Sequence, residues 1–223
     1  MNAYENYHAT RFAPDPRREV VWNSLWRYHF SRAISEDDCV LDLGCGYGNF
    51  INSVKARSRI AIDTWPEFPK YLQPGIESHV GSITDLAFLK DNSVDFAFAS
   101  NVFEHVPKGD LSCVLSQLRE KLSTRGRLAI LQPNYYYAYR EYFDDYTHVE
   151  VYSHNSMCDF LRAHDYEIEY CDPRFMPFSV KATSLVFPAL IWLYLKSPIK
   201  LNGKQMLIQA RPSRKGAGGS RGK

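Results

Sequence analysis

Short apolar runs alternate with amphipathic segments along most of the chain. Five of these runs have the length and composition of buried strands: CVLDL, SRIAID, SHVGSITDL, SVDFAFAS and TRGRLAILQPN. An amphipathic helix is predicted over residues 17–33, and further helices over GNFINSVKAR and LSCVLSQLREKL. Strands and helices that alternate in this way predict an α/β fold in which a parallel sheet carries helices on both faces.

The end of the chain has a different pattern. A helix with a polar start, SHNSMCDFLRAHD, is followed by two strands, YEIEYCDP and GKQMLIQAR, and about thirty aromatic-rich residues separate these strands. Because no regular helix connects the two strands, we expect them to form a terminal antiparallel pair.

Three glycines at alternate positions follow the first strand, in VLDLGCGYGNF (residues 40–50). A turn at this point lies at the carboxyl edge of the sheet, where open α/β folds bind ligands. The spacing differs from the GxGxxG pattern of dinucleotide sites, and the chain contains no GxxxxGK[ST] phosphate loop. A glycine loop by itself can be a simple turn without a ligand. Other residues of the chain therefore have to show whether this loop binds a cofactor.

VLDLGCGYG resembles the first motif of the class I S-adenosylmethionine-dependent methyltransferases. The resemblance implies a Rossmann-like, seven-stranded, mostly parallel sheet with an antiparallel C-terminal hairpin, and S-adenosylmethionine as the cofactor. Asp63, 21 residues after Asp42, ends the second strand where an acidic residue binds ribose hydroxyls in such folds. NVFEHV resembles the segment that lies beneath the cofactor. The cofactor-binding residues so implied are Asp42, Gly44, Cys45, Gly46, Gly48, Asp63, Thr64, Ser82, Ile83, Asn101 and Glu104.

One position departs from the family pattern. Many relatives have Gly-Asp and a small residue after the third strand, and this chain has Gly81-Ser82-Ile83. Ser82 would accept a hydrogen bond from the adenine and Ile83 would pack on its ring. Other residues have a second interpretation. Glu104 and His105 would then only cap the next helix, and Cys45 would only pack against its neighbours.

Acceptor-side chemistry is expected in residues 133–153, which are dense in tyrosine and contain Asp145 and His148. One helical turn would place these two side chains on one side, where the carboxylate would make the imidazole more basic. A pair of this kind is common in the small-molecule and glycan branch of the family. His148, Asp145 and His105 are therefore the candidate catalytic residues, with helix capping as the alternative for His148. The aromatic side chains would stack on sugar faces or line an apolar pocket.

Charge and cysteine content narrow the partners. Of the net charge of +2, residues 211–223 carry five basic residues and no acidic one, so the rest of the chain is mildly acidic. The mildly acidic charge of residues 1–210 argues against a nucleic-acid substrate, and so does the absence of NPPY or DPPY after the fourth strand. Five cysteines without CxxC spacing favour a reducing compartment over a disulfide framework or a zinc site, and we expect no metal. The N-terminus lacks an apolar signal segment, so a cytoplasmic location is predicted.

Residues 17–210 are expected to form the methyltransferase domain, between an N-terminal extension (1–16) and a disordered basic tail (211–223). Residues 185–195 are apolar but too short to span a bilayer, and they or the tail would make a weak membrane-surface contact. The predicted function is methyl transfer to a small molecule or glycan, most readily at a hydroxyl oxygen. The alternatives are a protein or other macromolecule methyltransferase, or a non-catalytic scaffold of the same fold.

Overall fold

The sheet has seven strands in the order β3-β2-β1-β4-β5-β7-β6. A computed structural model describes residues 15–177 and 187–214 of the protein. The strands are β1 Cys39–Leu43, β2 Ser58–Asp63, β3 Glu77–Val80, β4 Val94–Ser100, β5 Leu122–Pro133, β6 Tyr166–Pro177 and β7 Gly203–Pro212. The first five are parallel, and β7 runs antiparallel to both β5 and β6. The predicted fold class, a Rossmann-like sheet with an antiparallel C-terminal hairpin, is confirmed.

Helices cover both faces of the sheet because its central strands are apolar on both sides. The helices are α1 Pro16–Tyr28, α2 Asn49–Ser53, α3 Lys108–Lys121, α4 Tyr135–Ala138, α5 His154–Ala163 and α6 Pro188–Lys196. Leu41 and Leu43 of β1 join the core beneath α3 and α5, whereas Val40 joins the core beneath α1 and α2. Neighbouring strand residues point to opposite faces, so Asp42 lies on the same face as Val40.

Several predicted boundaries are wrong. The first helix ends at Tyr28, because His29 leaves helical geometry before a short 3-10 turn over Phe30–Arg32. The helix after the glycine loop has only five residues, since the chain must turn back at Val54 to begin β2 at Ser58.

The C-terminal boundary also differs from the prediction. β7 continues to Pro212, so the first two residues of the predicted tail are part of the sheet. Most of the predicted N-terminal extension, residues 178–186 and residues 215–223 lie outside the described residues. Within the ranges that the structure describes, no helix is long and apolar enough to cross a membrane.

Candidate functional site

The glycine loop has a backbone that side chains would disrupt. Gly44, Gly46 and Gly48 all have positive φ, at 65°, 53° and 65°. A Cβ atom on Gly44 would lie 2.6 Å from Cγ2 of Val102, and one on Gly48 would lie 2.4 Å from Cδ2 of Leu72. The loop is therefore packed tightly against the segments after β4 and after β2, and its conformation requires glycine.

Asp63 connects the loop to the end of β2. Its Oδ2 accepts a 2.7 Å hydrogen bond from the Gly46 N–H, and its Oδ1 accepts one of 2.9 Å from the Trp65 N–H. Its carbonyl accepts a 2.9 Å hydrogen bond from the Gly81 N–H after β3. Each carboxylate oxygen keeps a further lone pair, which suits the predicted contact with ribose hydroxyls. Thr64 beside it is exposed.

Asp42 is the fourth residue of β1, two residues before Gly44. The side chain is only 3% exposed. Burial raises its pKa well above 3.8, the nearby Asp63 charge adds to this, and the Ile51 backbone N–H opposes it in part. Burial likewise raises the pKa of the Cys45 thiol, so this sulfur is an inert packing group, in agreement with the packing alternative.

Ser82 and Ile83 follow β3 at the same edge. The exposed Ser82 hydroxyl lies 2.7 Å from the Thr84 hydroxyl and accepts a 3.2 Å hydrogen bond from the Thr84 N–H. Ile83 is buried in the core beneath α3 and α5. Its side chain therefore packs inward in this structure, and the predicted contact with an adenine ring stays a prediction.

The segment after β4 starts with a left-handed residue. Asn101 has φ of 54°, and its N–H donates to the Leu131 carbonyl at the end of β5 (2.8 Å). Its Oδ1 accepts a 2.8 Å hydrogen bond from Nε2 of Gln205 in β7. The turn is thus held from two strands, which sets the direction of the residues that follow.

Glu104 is a fully buried acid. Its side chain is 0% exposed, and neither carboxyl oxygen has a hydrogen-bond partner among the described residues. Burial raises its pKa to about 8, and the nearby Asp145 charge contributes in the same direction. The capping alternative is not supported. The N-cap residue of α3 is Pro107, and the start of this helix has no side-chain cap hydrogen bond from it. The N–H of Lys108, the first residue of α3, donates to the Glu150 carboxylate (3.2 Å).

His105, Thr147, Asp145 and His148 form a cluster beside Glu104. Nδ1 of His105 lies 3.0 Å from both the carbonyl and the hydroxyl oxygen of Thr147. Oδ1 of Asp145 accepts hydrogen bonds from the Thr147 hydroxyl (2.6 Å) and N–H (3.1 Å). The rings of His105 and His148 are 4.8 Å apart between centroids. The structure thus brings together the three predicted catalytic residues.

The expected helical turn between Asp145 and His148 is wrong. Residues 145–148 form a turn in which the His148 N–H donates to the Asp145 carbonyl (3.3 Å). The Asp145 side chain binds the backbone two residues later, and this local hydrogen bond competes with helix formation. His148 also does not cap α5, because Ser153 and Ser156 form the capping box of that helix.

The cluster shifts the pKa of two of its members. Burial lowers the pKa of His105, although its contact with Thr147 and the Asp145 charge oppose this. Burial would raise the pKa of Asp145, but the Thr147 hydrogen bonds and the two nearby imidazoles outweigh it, so that pKa is lowered. At neutral pH the cluster therefore holds an ionised Asp145 next to a neutral His105.

The aromatic side chains of residues 133–153 range from buried to exposed. Tyr142 is buried, with its ring centroid 4.6 Å from that of His148, and its hydroxyl donates to the Glu150 carbonyl (2.6 Å). Four aromatic side chains of the segment are exposed: Tyr136, Tyr139, Phe143 and Tyr146. The segment therefore supplies both support for His148 and an aromatic surface.

Two residues of the site were missed by sequence reasoning. Thr147 ties His105 to Asp145, and the signal was a threonine two residues after an aspartate, a pattern of side-chain turns. Gln132, at the carboxyl end of β5, is fully buried, and neither atom of its amide has a hydrogen-bond partner among the described residues. A polar residue at the end of the apolar run LAIL was the available signal.

Comparisons with known proteins cover part of this site. Residues 41–130 match a family model described as a methyltransferase domain. The matched stretch includes the glycine loop, Asp63, Glu104 and His105, and it ends before Asp145. An uncharacterized protein of Methanocaldococcus jannaschii is 32% identical over 99 residues, which are 44% of this chain and 42% of the relative. The match thus spans less than half the length of that curated relative.

Solved structures share the fold at low sequence identity. A SAM-dependent methyltransferase from Archaeoglobus fulgidus has a TM-score of 0.64 and 20% identity, covering 94% of this chain and 99% of that chain. A second, from Mesorhizobium loti, has a TM-score of 0.61 and 14% identity, covering 84% and 97%. A geranyl diphosphate C-methyltransferase from Streptomyces coelicolor, solved with Mg²⁺, geranyl diphosphate and S-adenosyl-L-homocysteine, has a TM-score of 0.57 and 14% identity, covering 80% and 72%.

The sheet order and the glycine loop have the fold of solved SAM-dependent methyltransferases, and residues 41–130 match a methyltransferase domain.

Proposed function

We propose that the protein is an S-adenosylmethionine-dependent methyltransferase that acts on a hydroxyl oxygen of a small molecule or glycan. One observation carries this proposal. The glycine loop with Asp63, and the cluster of Glu104, His105 and His148, both follow the carboxyl ends of parallel strands and so share one edge of the sheet. A cofactor half and an acceptor half therefore meet where open α/β sheets bind their ligands.

The residues of the cofactor half suit S-adenosylmethionine. The positive φ angles of the glycines allow the backbone to approach a ligand closely, and a side chain on Gly44 or Gly48 would clash within the loop. Asp63 is held by two backbone N–H groups, and its remaining lone pairs would accept hydrogen bonds from the ribose hydroxyls. When bound, the cofactor supplies a methyl group on a sulfonium sulfur, which keeps the electrons of the broken S–C bond as the acceptor oxygen forms the new C–O bond.

The acceptor half suits a ring-shaped polar molecule. Tyr136, Tyr139, Phe143 and Tyr146 expose aromatic surface in the segment that leads to His148. Exposed aromatic rings clustered on a soluble surface commonly mark a binding site, and their faces are suited to stacking on sugar rings. These residues would position the acceptor, and positioning alone contributes several kcal/mol to such transfers.

The cluster around His148 gives the acceptor hydroxyl a route for its proton. A neutral imidazole has one lone pair, with which it either takes a proton from the hydroxyl or holds a cation that acidifies it. Asp145, held by Thr147, keeps negative charge near both histidines. The prediction that His148 is a general base, and that Asp145 makes it more basic, describes the first of these two routes.

Other acceptors are less well supported. Outside residues 211–223 the chain carries more acidic than basic residues, which disfavours a nucleic-acid acceptor. A protein acceptor lacks a specific observation in its favour. A non-catalytic scaffold would have no reason to keep the tightly packed glycine loop, Asp63 and the buried Glu104 together.

Transfer of a labelled methyl group tests the proposal. The full chain is incubated with methyl-labelled S-adenosylmethionine and extracts of the source cell, and the labelled products are fractionated. We expect label in a small or carbohydrate fraction, as a base-stable ether, and none with Asp63→Ala. Label in nucleic acid or protein alone would contradict the proposed acceptor. No melting shift with millimolar S-adenosylhomocysteine would favour the scaffold.

A further inference from the structure

Three side chains of the acceptor half have the composition of a metal site. Glu104, His105 and His148 each offer one ligand atom, and these atoms all lie within 4.8 Å of one another. Two imidazoles and one carboxylate form the ligand set of many catalytic sites for zinc and other first-row metals, which leave open positions for water or substrate. Cysteine spacing, on which we based the expectation of no zinc site, does not bear on a cluster that uses no cysteine.

The state of the Glu104 side chain independently supports a bound cation. Its side chain is fully buried, and both carboxyl oxygens are without a hydrogen-bond partner in the described part of the chain. A buried carboxyl group in this state is costly, and such groups are normally paired or coordinate a metal. A cation between Glu104 and the two histidines would satisfy the carboxylate.

The surroundings hold the ligands in place. Glu104 and His105 belong to one 3-10 turn directly after β4, and the Glu104 carbonyl accepts hydrogen bonds from the Val149 and Glu150 N–H groups (2.9 and 3.0 Å). These bonds fasten the His148 loop to the turn. In the tautomer whose Nδ1–H donates to the Thr147 carbonyl (3.0 Å), Nε2 is the ring nitrogen of His105 that would coordinate a cation. Metal-binding histidines usually have such a second partner.

We propose that Glu104, His105 and His148 bind one divalent first-row transition-metal ion, of which Zn²⁺ and Mn²⁺ are the probes. Ligand atoms lie about 2.0–2.2 Å from such an ion, so the side chains would move together by roughly 1 Å on binding. The Asp145 carboxyl group lies beside this site, because Thr147 connects it to His105.

The role of this ion rests on the proposed function. An open coordination position would take the acceptor hydroxyl, and the ion would lower the pKa of that hydroxyl so that its proton passes to solvent. The same lone pair of His148 cannot bind the ion and accept a proton. His148 is then a ligand, and the ion replaces it in activating the oxygen.

Metal binding is measured directly on the full chain without a polyhistidine tag. The protein is stripped with EDTA, dialysed and titrated separately with Zn²⁺ and Mn²⁺ in a calorimeter. We expect one equivalent of at least one ion to bind, with affinity reduced at least tenfold in Glu104→Gln and in His148→Ala. Asp144→Asn, an exposed carboxylate next to the cluster, is the matched control and should bind as the native chain does. No binding, or equal binding in the three variants, would overturn the proposal.

Two further readouts separate this proposal from the proposed function. Thermal melting shows whether Glu104→Gln folds, and His148→Ala, at a half-buried position, is the second variant if it does not. S-adenosylhomocysteine binding is measured on the same samples. Cofactor binding without metal binding would overturn the metal site alone, whereas metal binding without cofactor binding would contradict the proposed function alone. Methyl transfer should fall at least tenfold in EDTA and return with the ion that binds.

Discussion

The Gly46 N–H donates a 2.7 Å hydrogen bond to Oδ2 of Asp63. This bond joins the loop after β1 to the end of β2, two segments that lie side by side because their strands pair in parallel. Oδ1 of Asp63 also accepts a hydrogen bond from the Trp65 N–H. One carboxylate thus holds the glycine loop and is the residue proposed to bind the ribose hydroxyls, which makes it the most direct test of the cofactor half.

Replacing Asp63 with alanine should weaken cofactor binding. The substitution removes two charge-assisted hydrogen bonds and the proposed ribose contact, and a bond to a charged group contributes about 1.5–3 kcal/mol. We therefore expect S-adenosylhomocysteine to bind roughly ten to a hundred times more weakly in calorimetry. Glu67→Gln, an exposed acid on the same connection, is the control. Equal affinity in Asp63→Ala and the native chain would remove Asp63 from the cofactor site.

Gly44→Ala should destabilise the protein through the loop backbone. The new Cβ would lie 2.6 Å from Val102 and would force a side chain into a left-handed conformation. We expect a loss of about 1–3 kcal/mol in the free energy of unfolding, measured by urea denaturation. A second substitution, Val102→Ala, should recover only the part that is due to the clash.

Gly109→Ala is the matched control for that experiment. Gly109 lies in the first turn of α3, and its added Cβ would meet no atom within 4 Å. Alanine is the better helix former, so the same substitution should raise stability by about 0.5–1 kcal/mol. Destabilisation of equal size at both glycines would show that the loop geometry is not the cause.

Asp42→Asn should become more stabilising as the pH rises. Burial raises the pKa of Asp42 in the folded protein above 3.8, so the folded state holds a proton that the unfolded chain releases. The contribution of Asp42 to stability is fully present below pH 3.8 and falls by about 1.4 kcal/mol per pH unit until the folded-state pKa is reached. Asparagine does not titrate, and it keeps an oxygen for the Ile51 N–H.

Urea denaturation of the two proteins at pH 5, 6 and 7 measures this difference. The free energy of unfolding of Asp42→Asn, relative to the native chain, should increase over that range. A constant difference between the two proteins would show that Asp42 titrates normally in the folded state.

His148→Ala should separate binding from turnover. Its ring lies in the cluster with His105 and Tyr142, away from the glycine loop contacts described above. We expect unchanged S-adenosylhomocysteine affinity. Methyl transfer should fall by roughly 10²–10⁴-fold if His148 is the general base, and should also fall if it is a ligand of an ion that activates the acceptor. Tyr146→Ala, which removes an exposed ring nearby, should act mainly on KM. Unchanged turnover with the true acceptor would exclude His148 from the mechanism.

The predicted membrane contact centres on α6, where Trp192 and Leu193 are 45% and 58% exposed. Anionic vesicles should co-sediment with the full chain, and less of it should bind after Trp192→Ser with Leu193→Ser. Phe143→Ser, at another exposed aromatic position, is the control. A chain that ends at residue 214 keeps β7 whole and removes most of the basic tail. Loss of binding only on this truncation would assign the contact to the tail.

Local patterns in the sequence predicted the elements well. The apolar runs gave β1, β2 and β4 within a residue or two, since each is short and buried and is followed by a turn. The glycine spacing identified the loop, because a positive φ at Gly44, Gly46 and Gly48 is a local property of the backbone. The length of α2 was wrong, because the path back to β2 depends on the sheet and not on helical periodicity.

The sequence by itself determined the order of elements, the glycine loop and most of the candidate site residues. Only the tertiary structure decided which of those residues meet. Glu104 and His148 are more than forty positions apart, and they come together because the chain after β5 folds back over the end of β4 and is held there by the Glu104 carbonyl. Contacts of this kind depend on the packing of the whole sheet. No local pattern encodes them, or shows that a glutamate in a short polar segment is fully buried.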